Sequence, residues 1–244
     1  MRIGDEMTKA TLVVCARGVE TPAARAALAA VVHGVRRGAR GLEVVDAFVG
    51  PQQPDVADVV AQIPGRRLIV PLTLWHDDEV VARLRHLSTA LPGITVTAPI
   101  GPDWLLAELG VRRLIEAGAR PDDSIVLAAG PAGSARAVRD IGAAARLLSA
   151  VWGGRVHVAA DAGGPALAEA IDIARAYQRR VVVSMYELTM SQAASGIGRL
   201  GADVVTAPLL SAGNGEAGVV SLVHARATAR GSWVPVGSDP SRGA

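Results

Sequence analysis

The chain has 244 residues, of which 50% are hydrophobic and 20% are charged, a composition that supports a sizeable buried core and excludes general disorder. A formal net charge of +2 without a dense basic stripe argues against nucleic-acid binding. The single cysteine, Cys15, excludes an internal disulfide and a multi-cysteine zinc site. No stretch approaches the roughly 18 apolar residues of a membrane span, and the first residues do not resemble a signal peptide. We therefore expect a soluble cytoplasmic protein without a membrane partner.

Short β-branched runs alternate with stretches of helical period along the chain. The predicted strands are Leu12–Cys15, Leu42–Val49, Arg67–Val70, Ile94–Thr97, Ser124–Ala128, Arg155–Ala159, Arg180–Ser184 and Asp203–Thr206. The predicted helices between them are Thr21–Gly34, Asp55–Ile63, Glu79–Ala90, Trp104–Glu116, Ala135–Trp152, Pro165–Ala176 and Ser191–Leu200. Buried parallel strands read as near-continuous aliphatic runs, as these do, so the pattern predicts repeated βα units.

The two halves of the chain resemble each other. LVVCA at Leu12–Ala16 matches IVLAA at Ile125–Ala129, and RRLIV at Arg66–Val70 matches RRVVV at Arg179–Val183, each pair 113 residues apart. We therefore predict an α/β fold of two similar halves, each a mostly parallel four-stranded sheet flanked by helices, with an interdomain cleft. The predicted division is 1–120 for the first half, 121–232 for a degenerate second half and 233–244 for a flexible tail.

Ligands of doubly wound sheets bind at the carboxyl ends of the strands, and there the stretch WHDDE (Trp75–Glu79) has the strongest chemical pattern. An imidazole beside carboxylates suits first-row divalent cations, and a histidine exchanges protons near neutral pH. A structural interpretation also stands: Asp77 or Asp78 caps the next helix, and Glu79 favours its positive end. That interpretation leaves His76 unexplained.

The loop ARGVETP after the first strand is neither a dinucleotide fingerprint nor a phosphate loop. Thr21 and Pro22 fit the start of a helix, while Arg17, at the mouth of the strand, is placed to meet an acidic ligand. The equivalent loops of the second half hold no histidine, and Glu187 is their carboxylate. Cys15 lies within a strand and is expected to be an inert packed thiol.

With these loops located, the chain resembles the sirohydrochlorin chelatase family, the class II chelatases that insert a metal into precursors of siroheme and cobalamin. LVVCARGVETPAA resembles the family's first strand with its HGSRDP turn, AFVGPQQPDVADVV its AFLE segment, and IVPLTLWHDDEVVARL its VPLFL…GxH segment. IVLAAGPAGSARAVRDI, VVVSMYEL and ADVVTAPL resemble the degenerate second copy of long members.

Several active-site positions of the family are changed in this chain. The family's first histidine falls on Arg17, which stays protonated and cannot ligate a cation. Its second histidine falls on His76, the glutamate of its AFLE segment on Gly50, and the histidine of some second copies on Ala194. Arginine at the mouth would pair with substrate carboxylates.

The resemblance implies a protein that inserts Fe²⁺ or Co²⁺, as a substrate, into an acidic tetrapyrrole held in the cleft. His76 is the expected catalytic residue and metal ligand, Asp78 and Glu79 are the expected further metal ligands, and Arg17 and Gly18 are expected to bind the tetrapyrrole. No tightly bound cofactor and no nucleic-acid partner are expected, and the protein would be a monomer or homodimer. The alternative is a non-catalytic relative that binds a tetrapyrrole or an acidic metabolite, or that assists a true chelatase.

Overall fold

The computed structural model describes residues 10–39, 41–159, 165–177, 180–191, 193–210 and 216–229. The tail predicted at 233–244 lies outside these ranges. The described residues form eight strands and seven α-helices, with a 3₁₀ helix at Ala193–Leu200 where a seventh α-helix was predicted.

The strands form two separate sheets of four parallel strands each. Their bounds are β1 Thr11–Arg17, β2 Glu43–Val49, β3 Arg67–Pro71, β4 Ile94–Val96, β5 Ser124–Ala129, β6 Val156–Ala159, β7 Val181–Tyr186 and β8 Val204–Val205. The first sheet has the order β2-β1-β3-β4 and the second has the order β6-β5-β7-β8. Every pairing within them is parallel. The predicted two-half α/β architecture is confirmed.

The helices connect the strands as parallel pairing requires. They are α1 Pro22–Gly38, α2 Val56–Gln62, α3 Asp78–Ala90, α4 Trp104–Glu116, α5 Ala135–Trp152, α6 Pro165–Tyr177 and α7 Ala217–Thr228. Thr21 caps α1 by accepting a hydrogen bond from the Ala24 N–H at 3.1 Å, and Asp77 caps α3 by accepting one from the Val80 N–H at 3.1 Å. None of the described helices is long and apolar enough to cross a membrane.

The final helix of each half crosses to the other half. Helix α4 packs against α5 and β7, whereas α7 packs against α1 and β3. The contact between α1 and α7 is close because Gly34 and Gly38 lie one turn apart on α1; a Cβ at these positions would come within 2.7 Å of Val220 and 2.5 Å of His224, respectively. The sequence pattern did not predict α7.

Two arginines fasten the exchanged helices. Arg113 on α4 donates to the carbonyl of Pro208 at 3.1 Å and to that of Leu209 at 2.8 Å, in the loop that follows β8. Arg226 on α7, 113 residues later, donates to the corresponding loop after β4, at Pro99 and Ile100. One apolar cluster runs through both halves, so the halves form a common core.

Candidate functional site

A cavity of about 580 Å³ lies between the halves, at the carboxyl ends of the central strands of both sheets. The first half contributes the segments that follow β1 and β3, and the second half those that follow β5 and β7. The lining residues are Ala16–Thr21, Leu28, Leu72–Trp75, Asp77, Gly130, Pro131 and Glu187–Ser191. The cleft therefore lies where the ends of parallel strands create a binding crevice.

Arg17 lies on the cavity wall at the end of β1. All three nitrogen atoms of its guanidinium contact carboxylates of the segment that follows β3. It forms a two-pronged ion pair with Asp77, Nε to Oδ2 at 3.0 Å and Nη2 to Oδ1 at 2.9 Å. Its Nη1 lies 2.8 Å from Oε2 of Glu79. The hydrogen bond to Asp77 is the main reason that the pKa of Arg17 is raised, with Glu79 adding to it. The guanidinium thus neutralises two of the three acids of WHDDE.

The surroundings of His76 differ from those of Arg17. It is not among the residues that line the cavity, and its side chain is 13% exposed, with Nε2 at 3.4 Å from Oδ1 of Asp78. Its backbone N–H donates to Oδ2 of Asp140 on α5 at 3.0 Å. Burial lowers the pKa of His76, and the positive charge of Arg136 lowers it further, which favours the neutral imidazole.

The acids of WHDDE therefore divide between two surroundings. Asp77 and Glu79 face Arg17, while Asp78 lies beside His76 and against the second-half loop, where a Cβ at Gly133 would come within 2.8 Å of its Oδ2. The predicted helix cap is confirmed for Asp77.

The predicted site residues are thus only partly brought together. Arg17 and Gly18 lie on the cavity wall, Asp78 lies next to His76, and Glu79 is paired with Arg17. In the part of the chain that the structure describes, no group of three His, Cys, Asp or Glu side chains is arranged to hold a metal ion. The roles assigned to these residues stay predictions.

Gly18 and Gly50 allow two loops to meet beside the cavity. The Gly18 N–H donates to the Val49 carbonyl at 2.9 Å, and the Val19 N–H donates to Oε1 of Gln52 at 2.9 Å. A Cβ at Gly18 would come within 2.9 Å of the Gln52 Cβ. Gly50, at the position of the family's glutamate, has a φ of 110°, a conformation that side-chain-bearing residues rarely adopt.

Replacing Gly50 by alanine should therefore destabilise the protein. We expect the free energy of unfolding to fall by about 1–2 kcal/mol, because the alanine Cβ strains a backbone with positive φ. Chemical denaturation followed by circular dichroism measures the change. A Gly41→Ala variant tests the same cause at a second position and should lose a similar amount of stability, since Gly41 has a φ of 80° and no atom lies within 4 Å of its Cβ position. A cost at Gly50 of less than 0.5 kcal/mol would contradict the strain argument.

Sequence reasoning missed the polar residues of the cavity floor. Glu187 follows β7 and Thr73 follows β3; both are buried, at 8% exposure, and both line the cavity. The sequence signal for Glu187 is a carboxylate that comes immediately after a fully buried strand. From the sequence, Glu187 is identified only as the carboxylate of the second-half loops, without a role in the site.

Cys15 is the inert thiol that the sequence predicts: burial raises its pKa to about 12.

An aromatic pair joins the halves at the cavity wall. The rings of Trp75 and Tyr186 lie with centroids 6.1 Å apart and a tilt of 32°. The Tyr186 hydroxyl donates to the carbonyl of Leu74 at 3.2 Å, and burial raises its pKa, so it stays a neutral donor. Trp75 lines the cavity, so it offers an apolar aromatic surface to a ligand.

The fold and the cleft define a class of protein: two-half α/β proteins with a ligand cleft between the carboxyl edges of two parallel sheets. The family model that matches is CbiX, over residues 11–117. The match over this segment and the fold together confirm the resemblance to the sirohydrochlorin chelatases.

Solved structures agree over most of the chain. The sirohydrochlorin chelatase SirB from Bacillus subtilis subspecies spizizenii in complex with cobalt is 17% identical, with a TM-score of 0.71, covering 89% of this chain and 93% of that one. SirB from Bacillus subtilis with Fe³⁺ is 18% identical, with a TM-score of 0.70 and coverages of 90% and 94%. CbiX, the terminal enzyme for biosynthesis of siroheme in denitrifying bacteria, is 16% identical, with a TM-score of 0.64 and coverages of 90% and 99%. At these identities the likeness shows the fold. A comparison with curated proteins found no match.

Proposed function

We propose that the protein is a class II chelatase that binds a tetrapyrrole in the cleft between its halves and inserts a divalent metal, Fe²⁺ or Co²⁺, into it. The observation that carries the proposal is the cavity of about 580 Å³ at the carboxyl ends of four central strands, in a fold shared with a chelatase solved with cobalt. Sirohydrochlorin is the first substrate to test, by likeness to those relatives.

The apolar and aromatic lining supports the binding of a flat ring. Trp75 presents its ring to the cavity, and Leu72, Leu74, Leu188 and Met190 supply further apolar surface. A carboxylate of the ring would approach Arg17, which is 52% exposed. Arginine binds carboxylates in a two-pronged geometry, so a substrate carboxylate would compete with Asp77 and Glu79 for the guanidinium.

His76 and Asp78 form the metal-uptake site in this proposal. A neutral imidazole is the form that ligates a metal, and the lowered pKa of His76 favours that form. Nε2 of His76 and Oδ1 of Asp78 lie 3.4 Å apart, so a nitrogen ligand and an oxygen ligand are available side by side. Both lie at the junction of the halves, and Glu79 follows at the exposed edge.

A non-catalytic tetrapyrrole-binding protein is the second candidate. The ion pairs of Arg17 favour it, because they place a fixed positive charge where family members carry a metal-binding histidine and occupy two of the nearby carboxylates. A fixed cation repels an incoming metal ion. Such a protein would bind the ring without inserting metal.

Anaerobic incubation with sirohydrochlorin and Co²⁺ or Fe²⁺ distinguishes the two, with the absorbance change on insertion as the readout. We expect a rate above the metal-only background for the wild type and a reduction of at least tenfold for His76→Ala. His86→Ala is the matched control, since His86 is an exposed histidine on α3. Saturable binding of the metal-free ring without any catalysed insertion would establish the second candidate instead. A wild-type rate in His76→Ala would remove His76 from the reaction.

A further inference from the structure

Glu187 is a buried carboxylate at the cleft floor for which the reaction above gives no role. It is the first residue after β7, is 8% exposed and lines the cavity. Its Oε2 accepts a hydrogen bond from the Ser191 N–H at 3.2 Å. A Cβ at Gly130 would lie 3.5 Å from its Oε1 and 3.4 Å from the Trp75 ring, so the missing side chain at Gly130 leaves room beside both groups.

Thr73 occupies the equivalent position in the first half. The backbone bonds from Gly101 N–H to the Thr73 carbonyl and from Leu209 N–H to the Glu187 carbonyl correspond between the halves. Thr73 is 8% exposed and lines the same cavity. Its Oγ1 is buried and has no hydrogen-bond partner among the described residues. A buried hydroxyl without a partner is costly, which indicates that a polar group of a ligand completes it.

Glu187 also differs from the other carboxylates of the cavity lining. Glu20 is exposed at the rim, and Asp77 is held by Arg17. No cation of the described part of the chain forms an ion pair with Glu187, so its charge is not neutralised where it faces the cavity. Burial raises its pKa, while hydrogen bonds from Ser191 oppose the rise. A carboxyl group with a raised pKa is a stronger base once ionised.

We propose that Glu187 is the catalytic proton acceptor of metal insertion, and that Thr73, at the equivalent position of the other half, hydrogen-bonds the pyrrole face of the same ring. The inference rests on the proposed function, since it names the group that receives the protons of that reaction.

The proton transfers balance without a further reactant. For each N–H bond that breaks, the electron pair stays on the pyrrole nitrogen and forms a bond to the divalent metal. The proton passes to a Glu187 carboxylate oxygen and from there to water, so the carboxylate is restored before the second transfer. One metal ion enters and two protons leave, with no change of oxidation state.

The same burial makes a prediction about stability. Because the folded-state pKa of Glu187 lies above its unfolded-state value, the folded protein holds this proton to higher pH than the unfolded chain does. Its contribution to stability is thus present at low pH and is lost as pH rises through the folded-state pKa. The Glu187→Gln variant has no carboxyl group to titrate at this position, so its stability does not fall for this reason. The free energy of unfolding of the variant should therefore increase relative to that of the wild type as the pH rises from 4 to 8.

The decisive experiment compares wild type, Glu187→Gln and the control Glu169→Gln, which replaces an exposed glutamate on α6. Binding of metal-free sirohydrochlorin is titrated by absorbance, and Co²⁺ insertion is followed under anaerobic conditions. We expect Glu187→Gln to bind the ring within about twofold of wild type and to insert metal at least 100-fold more slowly, in the range of a lost general base. Glu169→Gln should match wild type in both.

The outcomes separate this inference from the function on which it rests. A wild-type insertion rate in Glu187→Gln would overturn the role of Glu187 alone. Absence of insertion by the wild-type protein would overturn the proposed function, and the proton-acceptor role with it. A stability difference that does not grow with pH would show that Glu187 is not the buried ionisable carboxyl described here. Slow insertion with intact ring binding and a pH-dependent stability gain supports the inference on every readout.

Discussion

Replacing Arg113 by methionine should lower the free energy of unfolding by about 3 kcal/mol. The Arg113 side chain is only 6% exposed, and it joins α4 to the loop after β8 through the carbonyls of Pro208 and Leu209. It also pairs with Glu116 and with Glu216, whose side chain is 10% exposed. Methionine fills part of the volume but leaves two carbonyls and a buried carboxylate with fewer donors. Removing one partner of a buried ion pair typically costs about 3–5 kcal/mol.

Arg112→Met is the matched control because Arg112 pairs with the same carboxylate, at 3.0 Å, while its side chain is 59% exposed. An exposed pair contributes about 0–1 kcal/mol, so this variant should unfold almost as wild type does. Urea denaturation followed by circular dichroism gives both values. If the two variants lost the same amount of stability, the buried contacts of Arg113 would contribute no more than the exposed ion pair of Arg112 does.

The strands could be predicted from the sequence because their residues are apolar on both faces. Each of the eight predicted runs overlaps a strand, and the predicted ends differ from the observed ends by at most two residues. The pattern works because parallel strands buried under helices need aliphatic side chains throughout. The 3₁₀ helix at Ala193–Leu200 replaced a predicted α-helix, since the segment GIG (196–198) disfavours a regular helix there.

Helix α7 could not be found by periodicity because it is held by tertiary contacts. Its core sequence VVSLVHA has a β-branched, evenly hydrophobic pattern, which is weak for an amphipathic helix. The helix is stabilised by packing on α1, where Gly34 and Gly38 admit Val220 and His224. That fit depends on residues about 185 positions away in the chain, and no local signal reports it.

The candidate site was only partly predictable for a similar reason. Sequence reasoning placed WHDDE at the mouth of a cleft, which the structure bears out for Trp75 and Asp77. It could not assign directions to the side chains. Because successive residues at a helix start point to different sides, Asp77 and Glu79 reach Arg17, while Asp78 turns toward the second half.

The polar residues at the floor of the cleft show a second limit of prediction from the sequence. Thr73 and Glu187 share no sequence likeness, and their equivalence appears only in the backbone hydrogen bonds that follow β3 and β7. The alignment by RRLIV and RRVVV places Leu74, not Thr73, opposite Glu187, one residue out of register. Because of this single-residue shift, the alignment sets the apolar Leu74 opposite Glu187 and does not show that two polar side chains occupy equivalent positions.

Replacing Arg17 by alanine should increase the affinity for Co²⁺ at least tenfold. Asp77 and Glu79 both lie within 3.0 Å of the same guanidinium, so the two carboxylates are close enough for a divalent cation to take its place. The variant removes one positive charge and frees two carboxylates, and both changes favour a cation. A tenfold gain in affinity corresponds to about 1.4 kcal/mol of binding free energy. Two carboxylates that no longer pair with Arg17 can supply a difference of this size. Isothermal titration calorimetry with metal-free protein measures the change.

Arg36→Ala is the control, since Arg36 pairs with a single exposed carboxylate, Asp46, at 2.8 Å. Its affinity for Co²⁺ should stay within twofold of wild type. Adding Glu79→Gln to Arg17→Ala should reverse most of the gain, because one of the two freed carboxylates is then missing. Unchanged affinity in Arg17→Ala would show that the acids around Arg17 do not constitute a latent cation site. A gain that is accompanied by faster insertion would show that the arginine itself restrains metal entry, because fold, cleft and Glu187 are left as they are in the wild type.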